Sequence, residues 1–225
     1  MLRQILFASL SAIAALCASA CSYSSAVDVA PYKSRSSQAV LADGDYCEAA
    51  GQWAPFTVNS SRDCVPVKWS GATRTYAVSI DEDDASETVD AAIAPLGAGL
   101  YAAQIDVDDG PAPHQIHLFV ARGDAFAMLN ILDDKELKAV TARHPKVTFG
   151  ADRSGRPYVA AGKLSRVKAF LRDVAREALI IDNREGEALS VGVRDMGGMP
   201  DHPATRRQTE DIEAVLKAAK KLTAG

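Results

Sequence analysis

The sequence predicts an α+β domain: an antiparallel sheet built from hairpins, packed against an amphipathic helix, plus a C-terminal helix. Three observations carry this expectation. Short apolar runs broken by turn residues recur between about 65 and 160, the pattern of consecutive hairpin strands. Residues 166–179 repeat their apolar side chains every three or four positions, which gathers them on one helical face. Residues 204–222 do the same, with acids early and lysines late, the order that suits the helix dipole.

The elements follow in chain order. VPVKW (65–69) alternates, Ser70-Gly71 offers a turn, and RTYAVSI (74–80) alternates again. DEDD (81–84) reads as a surface turn, and ETVDAAIA (87–94) fits either a strand or a helix. Pro95, Gly97 and Gly99 break the chain before LYAAQIDV (100–107). DDGPAP turns it, HQIHLFVA (114–121) follows, RGD (122–124) turns again, and AFAMLNIL (125–132) returns. Strands in such a series pair most simply with their chain neighbours.

Asp133 or Asp134 caps a short helix over about 135–143, stopped by His144-Pro145. KVTFG (146–150) and RPYVA (156–160) make one more hairpin. Ser165 then stands where an N-cap belongs, before a helix with Val167, Phe170, Leu171, Val174 and Ala178 on one face. Residues 182–203 are irregular apart from a brief strand at 188–193, and the last helix carries the apolar stripe Ile212, Val215, Leu216, Ala219 and Leu222. The chain accordingly divides into a signal segment 1–20, a flexible Ser- and Ala-rich tether 21–42, a globular domain 43–182, a linker 183–203 and a C-terminal helix 204–225.

A chain of 225 residues, 48% hydrophobic, holds one packed domain with extensions. Its net charge of −4, with Lys and Arg interspersed among the acids, gives no basic face and excludes a nucleic-acid partner as an expectation.

The N-terminus gives an address. Arg3 is the only charge before Asp28, and the apolar stretch behind it is short and rich in small residues. A bilayer span needs roughly 20 strongly apolar residues; a basic start, a short apolar run and small residues are instead the layout of an export signal. Ala18-Ser19-Ala20-Cys21 resembles a bacterial lipobox, over about twenty residues, with Ala18 where the family prefers Leu. The resemblance implies cleavage before Cys21 and acylation of that cysteine. Cys17 does not fit, because Leu16 before it is too large. Parity agrees with this choice. Cleavage leaves Cys21, Cys47 and Cys64, and a lipid thioether at Cys21 removes the odd thiol. Several acyl chains hold a protein on a membrane, where one does so only marginally. By the same resemblance, Ser22 after the acceptor implies the outer membrane, facing the periplasm. An inner-membrane anchor and plain secretion to the periplasm are the alternatives.

Cys47 and Cys64 bracket EAAGQWAPFTVNSSRD, and in an exported protein a disulfide is the expected state. Closing a loop of that length stabilises by about 3 kcal/mol on the chain-entropy model. Neither a Cys-x-x-Cys spacing nor clustered histidines accompany them, so no metal and no cofactor is expected.

The catalytic motifs each fall short. ALSVG (188–192) is one glycine short of a nucleophile elbow, and VRDMGGMPDHP after it cannot begin the helix that Ser190 would need. His202 is the sole histidine downstream, with Asp195 and Asp201 as nearby acids. SRVK (165–168) matches Ser-x-x-Lys, in which Lys168 would take the Ser165 proton, but the companion Ser-Asp-Asn and Lys-Thr-Gly motifs are missing from the sequence. His114 and His117, three apart in an extended run, fall on opposite faces. DVDDG (106–110) lacks the glycine and glutamate positions of a calcium loop. RGD is a hairpin turn, and AGKLS (161–165) lacks the first glycine and the hydroxyl residue of a phosphate loop.

These readings favour a non-enzymatic envelope lipoprotein, held to the membrane by its lipid and binding an envelope protein or another envelope component. The stripe Ile212, Val215, Leu216 and Ala219 is the candidate partner surface. A carrier whose curved sheet encloses an apolar pocket, and a tethered hydrolase acting on peptidoglycan, lipid or peptide through Ser190 or an acid pair, are the alternatives.

Overall fold

The structure, a computed structural model, describes residues 22–51, 54–60, 64–82, 85–107, 110–152, 155–185, 187–197 and 202–223. Cys21 lies outside the described residues, as do parts of the DEDD and DDGPAP turns.

The hairpins predicted from the alternating runs are present, and they do more than meander. Strands β1 (Tyr23–Ser25), β2 (Gly44–Ala50), β3 (Thr57–Asn59), β4 (Val65–Ser70), β5 (Thr75–Glu82) and β6 (Ala85–Gly97) come first. They are followed by β7 (Leu100–Asp106), β8 (His114–Arg122) and β9 (Ala125–Met128). Beyond them lie β10 (Val147–Ala151), β11 (Pro157–Gly162), β12 (Ser190–Arg194) and β13 (His202–Pro203). From β4 to β9 each strand pairs antiparallel with the next. The ring then closes, because β12 pairs with β9 on one edge and with β2 on the other, and β2 pairs with β4. The result is an eight-stranded antiparallel barrel, a closure that leaves no open edge between first and last strand. The segment 87–94, which fitted strand or helix, is part of β6.

An eight-strand barrel is just wide enough for side chains to fill. Tyr46, Tyr76, Phe119, Phe126 and Met128 point inward among Val67, Val78, Ile93 and the small Ala91 and Ala103. They leave an apolar space of only about 40 Å³. A ligand pocket inside the curved sheet is therefore not what this barrel provides; its interior is core. Gly192 shows how closely it is filled. Its cross-strand partner is Phe126, and a Cβ at Gly192 would run into that ring. The glycine of the ALSVG motif is there for packing.

Among the described residues three α-helices pack against the strands. Helix α1 (Asp134–Ala142) starts at Asp133, whose carboxylate accepts from the Glu136 amide while Glu136 reaches back to the Asp133 amide. This reciprocal capping box satisfies two of the free donors at a helix start. Helix α2 (Leu164–Glu185) is longer than the predicted 166–179 and begins one residue before Ser165. Lys163 holds the cap position, its carbonyl accepting from Arg166 and Val167; Ser165 is exposed in the first turn. The predicted stripe Val167, Phe170, Leu171, Val174 and Ala178 is buried, joined by Ala175, Leu179 and Asp182. Helix α3 (Arg206–Thr223) lies across β8, β9 and β12 and against α2.

Four expectations need correction. Residues 22–42 are not a free tether. β1 is inserted between β8 and β11, and Val29 and Ala30 lie fully buried on the outer wall, their amides donating to Gln104 Oε1. Small side chains allow this, since Ala30 packs on Ala92 and Ala94. Farther on, Leu41 is buried at the barrel mouth, where the Tyr76 hydroxyl accepts from the Val40 and Leu41 amides and donates to the Leu41 carbonyl. Residues from Ser22 onward are thus already part of the globular structure, well ahead of Asp43.

The segment 183–203 is not a linker. It finishes α2, contributes β12 as a barrel stave, and ends in β13, which pairs with β3. The globular domain, in turn, does not stop at 182. Finally, α3 docks on its own barrel: Ile212 and Val215 are fully buried, Ala219 is almost so, and Leu216 is half-buried. The proposed partner stripe is core, because the wall beneath it is apolar on its outward face and demands a cover.

The Cys47–Cys64 disulfide is formed. It ties β2 to the start of β4, next to the place where the ring closes.

Candidate functional site

The predicted catalytic residues are not brought together. Ser190 opens β12 opposite Met128, whereas Asp195 follows the other end of the strand. His202 bonds to Asp195 Oδ1 through Nε2 at 3.4 Å and to the Pro203 carbonyl through Nδ1 at 3.0 Å. Among the described residues no hydrogen bond links Ser190 to His202, and none links Ser165 to Lys168. Burial, and after it the Arg172 charge, holds the Lys168 ammonium below its ordinary pKa. His114 pairs with Asp106 at 2.7 Å on the surface, while His117 is buried on the other face. No group of three or more metal-ligating side chains occurs among the described residues. RGD forms the β8–β9 turn with Gly123 at φ 55°, and Asp124 is buried beneath two arginines, Arg194 at 2.9 Å and Arg207 at 2.8 Å. A carboxylate so held pins α3 and β12 to the hairpin and is not presented to a partner.

What the structure does build is a groove. Its floor is the outward face of β12, the end of β2 and the residue before β3, with Val191, Ala49 and Phe56. One wall is the last turns of α2, with Leu179, Asp182 and Asn183. The other is the C-terminal half of α3, with Ile212, Leu216, Ala219 and Lys220. The space measures about 660 Å³, within the roughly 300–1,000 Å³ of small-molecule sites. The groove lies where the chain after α2 drops back into the barrel as β12, between the end of α2 and the C-terminal half of α3.

The lining is apolar except at its edges. Glu213, Lys217 and Lys220 line it from α3, and Glu187 lines it at the end nearest α2. Asp182 is the exception within. Its side chain sits on the buried stripe of α2 with 5% exposure. Asn130 Nδ2 donates to Asp182 Oδ1 at 3.1 Å and lies 3.5 Å from Glu187 Oε2. Asp182 Oδ2 is buried without a hydrogen-bond partner. Burial pushes this carboxyl above the ordinary carboxylate range; the Asn130 bond opposes that, and the Glu187 and Glu185 charges add to it. No ion pair reaches Asp182 or Glu187 among the described residues. The start of the chain is close by. The Tyr23 hydroxyl accepts from the Leu132 amide, two residues beyond Asn130, and burial raises its own pKa with the Asp182 charge contributing.

Neither Asp182 nor Asn130 was singled out by the sequence reading. A signal for Asp182 existed: it falls four residues after Ala178, on the continuation of the apolar stripe. An acid there contradicts the face it belongs to.

Among the described residues no helix is long and apolar enough to cross a membrane. No family model, no curated protein and no solved structure matches this chain.

Proposed function

We propose that this protein is a non-catalytic component of the bacterial cell envelope, anchored by lipid at Cys21, that holds an apolar or amphiphilic ligand in the α2–α3 groove. The observation that carries the reading is the groove itself, about 660 Å³ with an apolar floor and a few polar groups at its edges, the usual make-up of a small-molecule site. The Ala-Ser-Ala-Cys sequence supports the anchor, and the Cys47–Cys64 disulfide fits an oxidising compartment. The envelope component takes the place of the protein partner, since the stripe proposed to bind one is committed to core.

A lipid on Cys21 would hold the barrel at a membrane surface. The outer membrane, facing the periplasm, is the location this reading takes.

Nile red, an uncharged apolar fluorophore, tests the groove. Its emission should rise on binding the purified mature protein, and Leu216→Trp or Ala188→Trp should abolish the gain while leaving the unfolding transition in place. No emission gain in the wild type would overturn the reading. For the anchor, Cys21→Ala should move the protein from the detergent phase to the aqueous phase. An intact mass matching an unmodified chain from Cys21 would count against it.

A further inference from the structure

Resting on that reading, a buried polar group in the groove narrows the ligand class. A carboxylate oxygen that is enclosed and unpartnered is costly, and among the described residues none donates to Asp182 Oδ2. The protein does supply Asn130 for the other oxygen and places Glu187 near the same amide. Two acids therefore flank one end of the trough, and among the described residues no ion pair reaches either. The lysines that line the groove, Lys217 and Lys220, stand on α3, the opposite wall.

We propose that the groove takes an aliphatic amine, with the hydrocarbon chain over Leu179, Val191 and Leu216 and the ammonium donating to Asp182 Oδ2 beside Glu187. The chemistry is complementary in both parts. The ammonium has three donors and no acceptor, so it meets the orphan oxygen and the neighbouring carboxylate together. A hydrogen bond between two charged partners is roughly twice as strong as a neutral one. A fatty acid of the same length would bury the same hydrocarbon, yet bring a third carboxylate to this end. The raised pKa of Asp182 agrees with a group whose charged form lacks its partner in the empty protein.

The experiment is displacement of Nile red by dodecylamine, dodecanol and dodecanoate, each below its micelle concentration, at neutral pH. The wild type should bind dodecylamine about ten- to hundredfold more tightly than dodecanoate, the range expected for a charge-assisted contact. Dodecanol should fall between. Asp182→Asn should erase the amine preference, so that dodecylamine displaces Nile red no better than dodecanol. Should Asp182→Asn lose its unfolding transition, Glu187→Gln serves instead, because its side chain is exposed, and it should reduce the same preference severalfold. Nile red binding with equal displacement by all three compounds would overturn the amine assignment while leaving the groove. A preference for amine that survives Asp182→Asn would overturn it too. Absence of Nile red binding would bring down both this inference and the reading beneath it.

Discussion

The barrel has two unlike walls. On β8, β9 and β12 buried residues run consecutively, Ile116–Ala121 on the first, all of Ala125–Met128 on the second and Val191–Val193 on the third. On β4 they alternate, with Val65 and Val67 buried between exposed Pro66 and Lys68. Both patterns belong to one continuous ring. The difference lies in what stands outside it: α3 crosses the first wall, while water meets the second. A strand covered on both faces needs apolar residues at every position, whereas a half-covered strand needs them at every other one. Local pattern therefore reports the thickness of the protein at each strand. It does not report which strand closes the ring.

Removing the cover should produce the largest effect. Deleting residues 204–225 would strip Ile212, Val215 and Ala219 from the wall and expose the outward faces of β8, β9 and β12. The truncated protein should show no cooperative thermal unfolding transition. A normal transition would mean that the covered wall is stable alone, and the contrast between the two walls would lose its meaning.

A single side chain gives a sharper comparison. Phe170 is 3% exposed beneath α2, in edge contact with Phe149 at 5.0 Å and His144 at 5.5 Å. Phe170→Ala should cost about 3–5 kcal/mol, the usual range for a buried ring. Ser79 lies on β5, half-buried on the bare side, and contacts Thr88 across the strand pair at 3.3 Å. Ser79→Ala should stay within about 0.5 kcal/mol. Urea denaturation of both variants decides the matter, and comparable losses would refute the division.

Gly192 probes the interior that the two walls share. Gly192→Ala places a methyl group against the Phe126 ring inside a core with little free space. Overpacking of this kind costs about 1–3 kcal/mol. A neutral result would show that Phe126 can swing aside, and with it that the barrel interior is more adaptable than its filling suggests.

The sequence disclosed these regions unequally. Hairpins from β4 to β9 were legible because each pairing is local and each turn carries its glycine, proline or aspartate. The α2 stripe and the Asp133 cap were legible for the same reason. Closure was not, because it depends on Cys47 pairing with Val193, residues far apart in the chain whose own side chains say nothing of each other. β1 was hidden by composition. Tyr23-Ser24-Ser25 joins the sheet through backbone bonds to Ile116, Gln115 and His114, and short polar side chains leave no trace of that. The α3 stripe was visible but its owner was not, since a helix covering its own barrel shows the same apolar face as one awaiting a partner. The groove was out of reach, because its lining comes from β2, α2, β12 and α3 and no window of sequence holds them together.

The smallest effect expected is the most specific to the covered side. Asp182 is the acid within that apolar layer, and burial raises its pKa in the folded protein above the unfolded value. Well above the folded pKa both states are ionised, and the folded state alone bears the buried charge. As pH falls through the folded pKa, the native carboxyl takes up its proton before the unfolded one does. Wild-type stability then rises relative to Asp182→Asn, which has no proton to gain. The difference levels off once pH passes below the unfolded value of about 3.9. Unfolding free energies of the two proteins, measured between about pH 4 and 8, should therefore favour Asp182→Asn at the neutral end and converge toward the acid end. A difference that is flat across this range, or that grows as pH falls, would show that the carboxyl is not confined in the apolar layer, and would remove the orphan oxygen on which the amine assignment stands. An aliphatic amine bound in the groove should oppose the same trend. By pairing with the ionised carboxyl it stabilises the wild type at neutral pH and leaves Asp182→Asn nearly unmoved.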